Sequence, residues 1–290
     1  MVMAKTDGKR ARRREARPWR QSEPVVALAD PGSIESTLAM DAGSDERWYA
    51  SRPRYRAEDL VYEAWEAAGE RRVALAREAL ALWSDCADAY VLLAQAASSL
   101  EGARELLEQG VAAGERALGR RVFREDVGDF WLIFETRPYM RARAALAATM
   151  WRLGRREEAV EHQRELLRLN PRDNQMIRYR HAHWLLELEV YNELEDLFAV
   201  YAEERVPGFV YAKALAAFRC GGDDAGARRL RAEARELNPR IPVYLTGRKK
   251  LPVPRPAYTV FGEESEAVDY AGGGGELWAS VPGALAWLES

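Results

Sequence analysis

Two histidines stand two residues apart, at His181 and His183, and a metal site is the first chemistry such a pair suggests. On a helix, side chains at i and i+2 diverge, whereas zinc-binding pairs use i, i+3 or i, i+4. His181 therefore reads as a packing residue, and His162, among Glu161, Gln163, Arg164 and Glu165, as part of a wet helical face. Cys86 and Cys220 are far apart and neither has a histidine nearby in sequence, so no disulfide framework or nucleophile dyad is expected. The run Gly272 to Gly275 lacks the Lys-Ser/Thr or the leading strand that a phosphate cradle needs, and reads as a linker. Glu157, Glu158, Glu161 and Glu165 recur at helical spacing among arginines, the pattern of a solvated ion-paired face, not of a general acid and base. With no G-x-S-x-G elbow either, the residues select no catalytic set, no cofactor and no metal, and an enzyme is not expected.

The elements that would position any binding residue are helices in pairs. Gly154, Ala159 and Pro171 lie at intervals of five and twelve, Gly222, Ala227 and Pro239 repeat both intervals, and Gly69 with Ala74 repeats the first. Glycine closes a first helix, alanine lets two helices cross closely, and Asn-Pro ends the second. That 34-residue pattern resembles the tetratricopeptide repeat. It predicts an all-α, right-handed solenoid of about five helix-turn-helix units with a capping C-terminal extension. Clear repeats fall at about 55–88, 140–173 and 208–241, and degenerate ones at 89–121 and 174–207. Between the second and third, residues 121–137 form an aromatic-rich insertion. Phe130, Trp131, Ile133 and Phe134 either fill core, the favoured reading, or form a binding face.

Three parts follow from composition. Residues 1–47 read as a disordered basic arm, 48–241 as the solenoid, and 242–290 as a proline-containing extension with terminal helices. Residues 1–20 hold eight Lys/Arg against Asp7 and Glu15, a net of +6, so the overall −3 leaves −9 on the remainder. An acidic body argues against wholesale nucleic-acid binding by the folded part. With 48% apolar residues a substantial core is affordable, yet no stretch approaches eighteen consecutive apolar residues. A soluble, cytoplasmic chain is expected, and the excess of arginine over lysine points to a bacterial, GC-rich origin. In the extension, Ile241 to Leu245 and then Pro252, Pro254 and Pro256 are expected to run extended. A short helix beginning at Gly262–Glu266 is expected to break at Gly272–Gly275 before a last apolar helix.

Two blocks are more specific than a generic repeat. One is Cys86-Ala87-Asp88-Ala89-Tyr90-Val91-Leu92-Leu93-Ala94 with Ala103-Arg104, Leu106-Leu107 and Ala113-Gly114-Glu115. The other is Asn238-Pro239, Ile241-Pro242, Tyr244-Leu245, Glu266-Ala267, Tyr270, Trp278 and Gly283-Ala284-Leu285. Together they resemble the suppressor-of-tumorigenicity-7 protein family over roughly 81–288. The resemblance implies a helical-repeat protein without established enzymatic chemistry. The animal members carry membrane segments that this sequence lacks, and the glycine run falls where the family pattern continues as helix.

A repeat protein acts through its concave groove, lined by the first helix of each pair. The register projects Arg141, Ala148 and Trp151 from the third repeat, Arg178 and Leu185 from the fourth, and Arg219 from the fifth into that groove. Arginine and aromatic residues anchor peptides. The expected function is a scaffold or adaptor that binds a protein or peptide partner, with acidic or carboxylate-bearing segments preferred. The plain alternative is that these arginines only solubilise the groove. A second reading is nucleic-acid association or regulation through the basic arm, against a tail without a special role.

Overall fold

A computed structural model describes residues 52–290. The basic arm expected over 1–47 lies outside the described residues. Among the described residues ten helices form five consecutive hairpins: α1 (Pro53–Glu66) with α2 (Gly69–Leu82), α3 (Ala87–Gln95) with α4 (Leu100–Glu125), α5 (Arg137–Arg152) with α6 (Arg156–Leu169), α7 (Ile177–Glu187) with α8 (Tyr191–Val200), and α9 (Pro207–Gly221) with α10 (Ala225–Leu237). Three further helices follow, α11 (Ile241–Leu245), α12 (Glu264–Ser280) and α13 (Ala284–Glu289). The all-α repeat architecture is the one the spacing predicted.

Helix boundaries follow local chemistry. Proline opens α1 and α9, where its missing N–H costs nothing. Ser99 accepts from the Gly102 amide at 3.1 Å, and Asp224 from the Ala227 amide at 2.7 Å. Gly154 and Gly222 turn the chain at φ 79° and 68°, and Ala159 and Ala227 are fully buried at the crossings. The first hairpin differs from expectation. Ala74 is exposed, and Ala76 and Ala79 take the crossing instead. Gly69 still turns the chain, at φ 58°, and the alanines at the crossing lie two and five residues farther along α2 than Ala74.

The first helices of successive hairpins touch along α1, α3 and α5, and again between α7 and α9, while the second helices make little contact with one another. The first helices therefore form the closely spaced inner row and the second helices splay on the outside. Close approach at α4 depends on small residues. A Cβ on Gly114 would stand 2.9 Å from the Tyr139 Cβ, and one on Gly110 would stand 3.0 Å from the Tyr90 Cβ. Trp151 and Trp184 stack at 4.3 Å and join the third hairpin to the fourth.

The aromatic insertion divides between the two readings of it. Phe130 is fully buried and packs with Phe123 at 5.2 Å. Thr136 is also buried and donates to the carbonyls of Phe130 and Ile133. Leu132 and Phe134, by contrast, stay 48% and 62% exposed.

The extension corrects two expectations. Ile241–Leu245 is helical because Pro242 sits in the first turn, where proline is tolerated. Gly272–Gly275 does not break α12. Each helical glycine costs about 1 kcal/mol. Val268, Leu277 and Trp278 are buried on the same helix, at about 1.5–3 kcal/mol each, and they outweigh it. The intervening segment 246–263 carries no helix, and residues 252–261 are all exposed.

Candidate functional site

The inner row is divided by the tail. Helix α12 lies against α7 and α9, the first helices of the last two hairpins. On the α9 side, Tyr211 packs on Tyr270 at 5.8 Å and on Trp278 at 6.3 Å, and the Trp278 Nε1 donates to the Tyr270 hydroxyl at 3.1 Å. Buried Glu266 accepts from the amides of Gly208 (3.2 Å) and Gly262 (2.7 Å) and from Asn238 Nδ2 (3.0 Å). Burial nonetheless raises its pKa. On the α7 side, Gly274 rests on the His183 ring, where a Cβ would stand 2.9 Å from Cε1. That burial pushes the His183 imidazole down to about 4. Phe261 meets Tyr179 at 6.3 Å. The face over the fourth and fifth hairpins is thus filled by the chain itself.

The candidates projected onto that half are used within the fold. Leu185 is fully buried, which corrects its assignment to the groove. Helix α7 is covered by its neighbours and by α12, so Leu185 and Leu186 both face core. Arg178 binds Asp173 at 2.9 Å, Glu204 at 2.8 Å and the Tyr179 hydroxyl at 2.6 Å. The same Asp173 caps α7 by accepting from the Ile177 and Arg178 amides. Arg219 donates to the Leu186 carbonyl at 3.1 Å and pairs with Glu189.

Among the described residues, no tail helix lies on the inner face over the first three hairpins. Arg141 is half-buried there and bidentate to Asp88, with Nε at 2.8 Å, and Asp88 is 5% exposed. Ala148 and Trp151 are half-buried on the same helix, and the Arg156 guanidinium covers the Trp151 ring at 4.9 Å. Tyr62 on α1 is 68% exposed and close enough to Arg137 and Arg141 to act on both electrostatically. Beside it, Arg137 donates from Nε to the Trp131 carbonyl at 2.9 Å, and its Cζ stands 4.1 Å from the Phe134 ring centre. A shallow cavity of about 360 Å³ opens farther along, lined by Val91, Ala94, Ser99, Ala145 and Arg152 among others. Tyr62, Leu132, Phe134 and Arg137 therefore form an exposed aromatic and cationic patch at the start of the inner row.

Sequence reasoning missed Tyr62 and Arg137 as surface residues. The buried stripe of α1 is Ala57, Val61 and Ala64, and Tyr62 falls off it, which is the signal that marks an outward aromatic. The histidines divide as well. His181 is 2% exposed and bonded to Gln163 and Glu193, both at 3.1 Å, as a packing residue. His162 is half-buried, not on a wet face, and burial first, then Arg143, pushes its imidazole down to about 4. Cys86 is buried, and burial pushes its thiol up to about 12. Among the described residues no group of three or more His, Cys, Asp or Glu is placed to hold a metal ion, and no helix is long and apolar enough to cross a membrane.

The chain is similar to several known proteins. The suppressor of tumorigenicity 7 protein-like chains of Rattus norvegicus and Homo sapiens are each 30% identical to this one over 257 residues. Those matches cover 80% of this chain and 46% and 44% of the relatives. Suppressor of tumorigenicity 7 protein of Macaca fascicularis is 30% identical over 225 residues, covering 69% of this chain and 42% of its own. The chain thus spans less than half the length of these relatives. Among solved structures it is similar to YrrB, titled a TPR protein with an unusual peptide-binding site. That likeness has a TM-score of 0.45 and 19% identity over 63% of this chain and 83% of the other. The sequence profile described as ST7 protein matches residues 50–290, and the chain belongs to that family.

Proposed function

We propose that this chain is a non-catalytic helical-repeat scaffold that binds a protein partner, as an extended peptide segment, along the inner face of its first three hairpins. The observation that carries this reading is the unequal covering of the inner row. Helix α12 fills the face over α7 and α9, while Tyr62 and Phe134 remain 68% and 62% exposed over α1 to α5. Neighbouring exposed aromatics on a helical-repeat groove are anchors for a partner, since large apolar surface left in water near cationic side chains is what interface hot spots are made of.

Substituting both exposed rings tests it with little risk to the fold. A partner captured by the native chain should be lost by Tyr62→Glu with Phe134→Glu. It should be retained by Tyr258→Glu, an equally exposed aromatic on the 246–263 segment. Both variants should keep the native thermal midpoint. Retention of the partner by the Tyr62→Glu, Phe134→Glu chain would overturn the assignment.

A further inference from the structure

The inner-face arginines that the register singled out have carboxylate or carbonyl partners inside the chain. Arg141 is held by Asp88, Arg178 by Asp173 and Glu204, and Arg219 by Glu189 and a backbone carbonyl. Arg137 differs from all three. Among the described residues no carboxylate pairs with it. Its Nε is fixed by the Trp131 carbonyl, and its plane is held by the rings of Phe134 at 4.1 Å and Trp131 at 5.3 Å. The two terminal nitrogens, the pair a carboxylate engages end-on, take no hydrogen bond among the described residues. Burial, with the Arg141 charge behind it, lowers the Arg137 pKa, as expected for a cation that has lost water without gaining an anion. A guanidinium that is oriented in advance and uncompensated loses little entropy on pairing, and a charge-assisted bidentate bond is the strongest it can make.

We propose that Arg137 receives a carboxylate of the bound partner. The carboxylate belongs to an Asp or Glu side chain beside an aromatic or aliphatic residue, which lies on Phe134 and Tyr62. This names the chemistry recognised at the inner face and rests on the reading of that face as the partner site. Acidic character alone is insufficient, because the exposed rings give no return to a purely polar chain. An apolar segment without an acid would leave the guanidinium desolvated and unpaired, the costly case for a buried charge.

The test uses the full chain and a phage-displayed library of random peptides. Peptides selected on it should carry Asp or Glu next to an aromatic or aliphatic residue. Their affinity should fall about tenfold or more with Arg137→Gln, a charge pair at an interface being worth that much. It should fall likewise with the exposed Phe134→Ala, and when the peptide acid is replaced by its amide. In the Arg137→Gln chain the amide replacement should cost nothing further. Peptides that bind the Arg137→Gln chain as tightly as the native one, or that lose equally from the amide replacement in both chains, overturn the proposal. If such peptides are still lost by Tyr62→Glu with Phe134→Glu, the inner-face reading survives and only the role of Arg137 falls. If they bind that double variant undiminished, both fall together.

Discussion

Arg141 shows how a charge that reads as a contact for a partner can be spent inside the fold. The repeat register projects it toward the inner face. Its pairing was not legible, because Asp88 lies 53 residues away and no spacing rule connects the two. The same holds for Arg178, whose partner Glu204 sits across the fourth hairpin. Reversing such a charge therefore tests stability before it tests binding. Arg141→Glu leaves Asp88, 5% exposed, facing a second carboxylate, and losing the partner of a buried charged group costs about 1–3 kcal/mol. The urea midpoint of Arg141→Glu should drop accordingly, and an unchanged midpoint would contradict the pairing. Tyr62 and Phe134 are mostly exposed and belong to no buried ion pair, so binding can be probed at them with little cost to the fold. Tyr62 was readable in retrospect as an aromatic off the Ala57, Val61, Ala64 stripe, whereas the exposure of Phe134 beside buried Phe130 required the turn geometry of the insertion.

At the scale of the element, α12 carries the clearest conflict between local preference and packing. Four consecutive glycines read as a break, because helix propensity is a property of the nearby chain; the seat formed by α7 and α9 is not, and it prevails. The glycines are not equivalent. Gly274 is buried against His183, while a Cβ added to Gly273 or Gly275 would meet nothing within 4 Å. Gly273→Ala and Gly275→Ala should each stabilise the chain by about 0.5–1 kcal/mol. Gly274→Ala, which forces a Cβ to 2.9 Å from the His183 ring, should destabilise it by about 1–3 kcal/mol. Thermal denaturation of the three variants reads this directly, and a gain in midpoint for Gly274→Ala would contradict the seating of α12 on α7. The helical Ile241–Leu245 teaches the same lesson at smaller scale. Proline was read as excluding helix, when its place in the first turn makes it compatible.

Over the whole molecule, the hairpin array was legible because its period is set by glycine, alanine and Asn-Pro, residues whose backbone and size requirements act locally. What spacing does not encode is how the array is closed. The tail returns across the first helices of the fourth and fifth hairpins and fills half of the surface that the register alone would offer to a partner. Membership of the ST7 protein family covers residues 50–290, so this self-covered inner row is a feature of the matched region. The proposed binding face is the half over α1, α3 and α5 that the tail leaves uncovered. Hydrogen exchange of the full chain with and without its captured partner measures it most directly. Slowed exchange in 53–66 and 130–152, with 177–187, 207–221 and 264–280 unchanged, is the predicted result; protection confined to α7, α9 and α12 or to the 246–263 segment would contradict it.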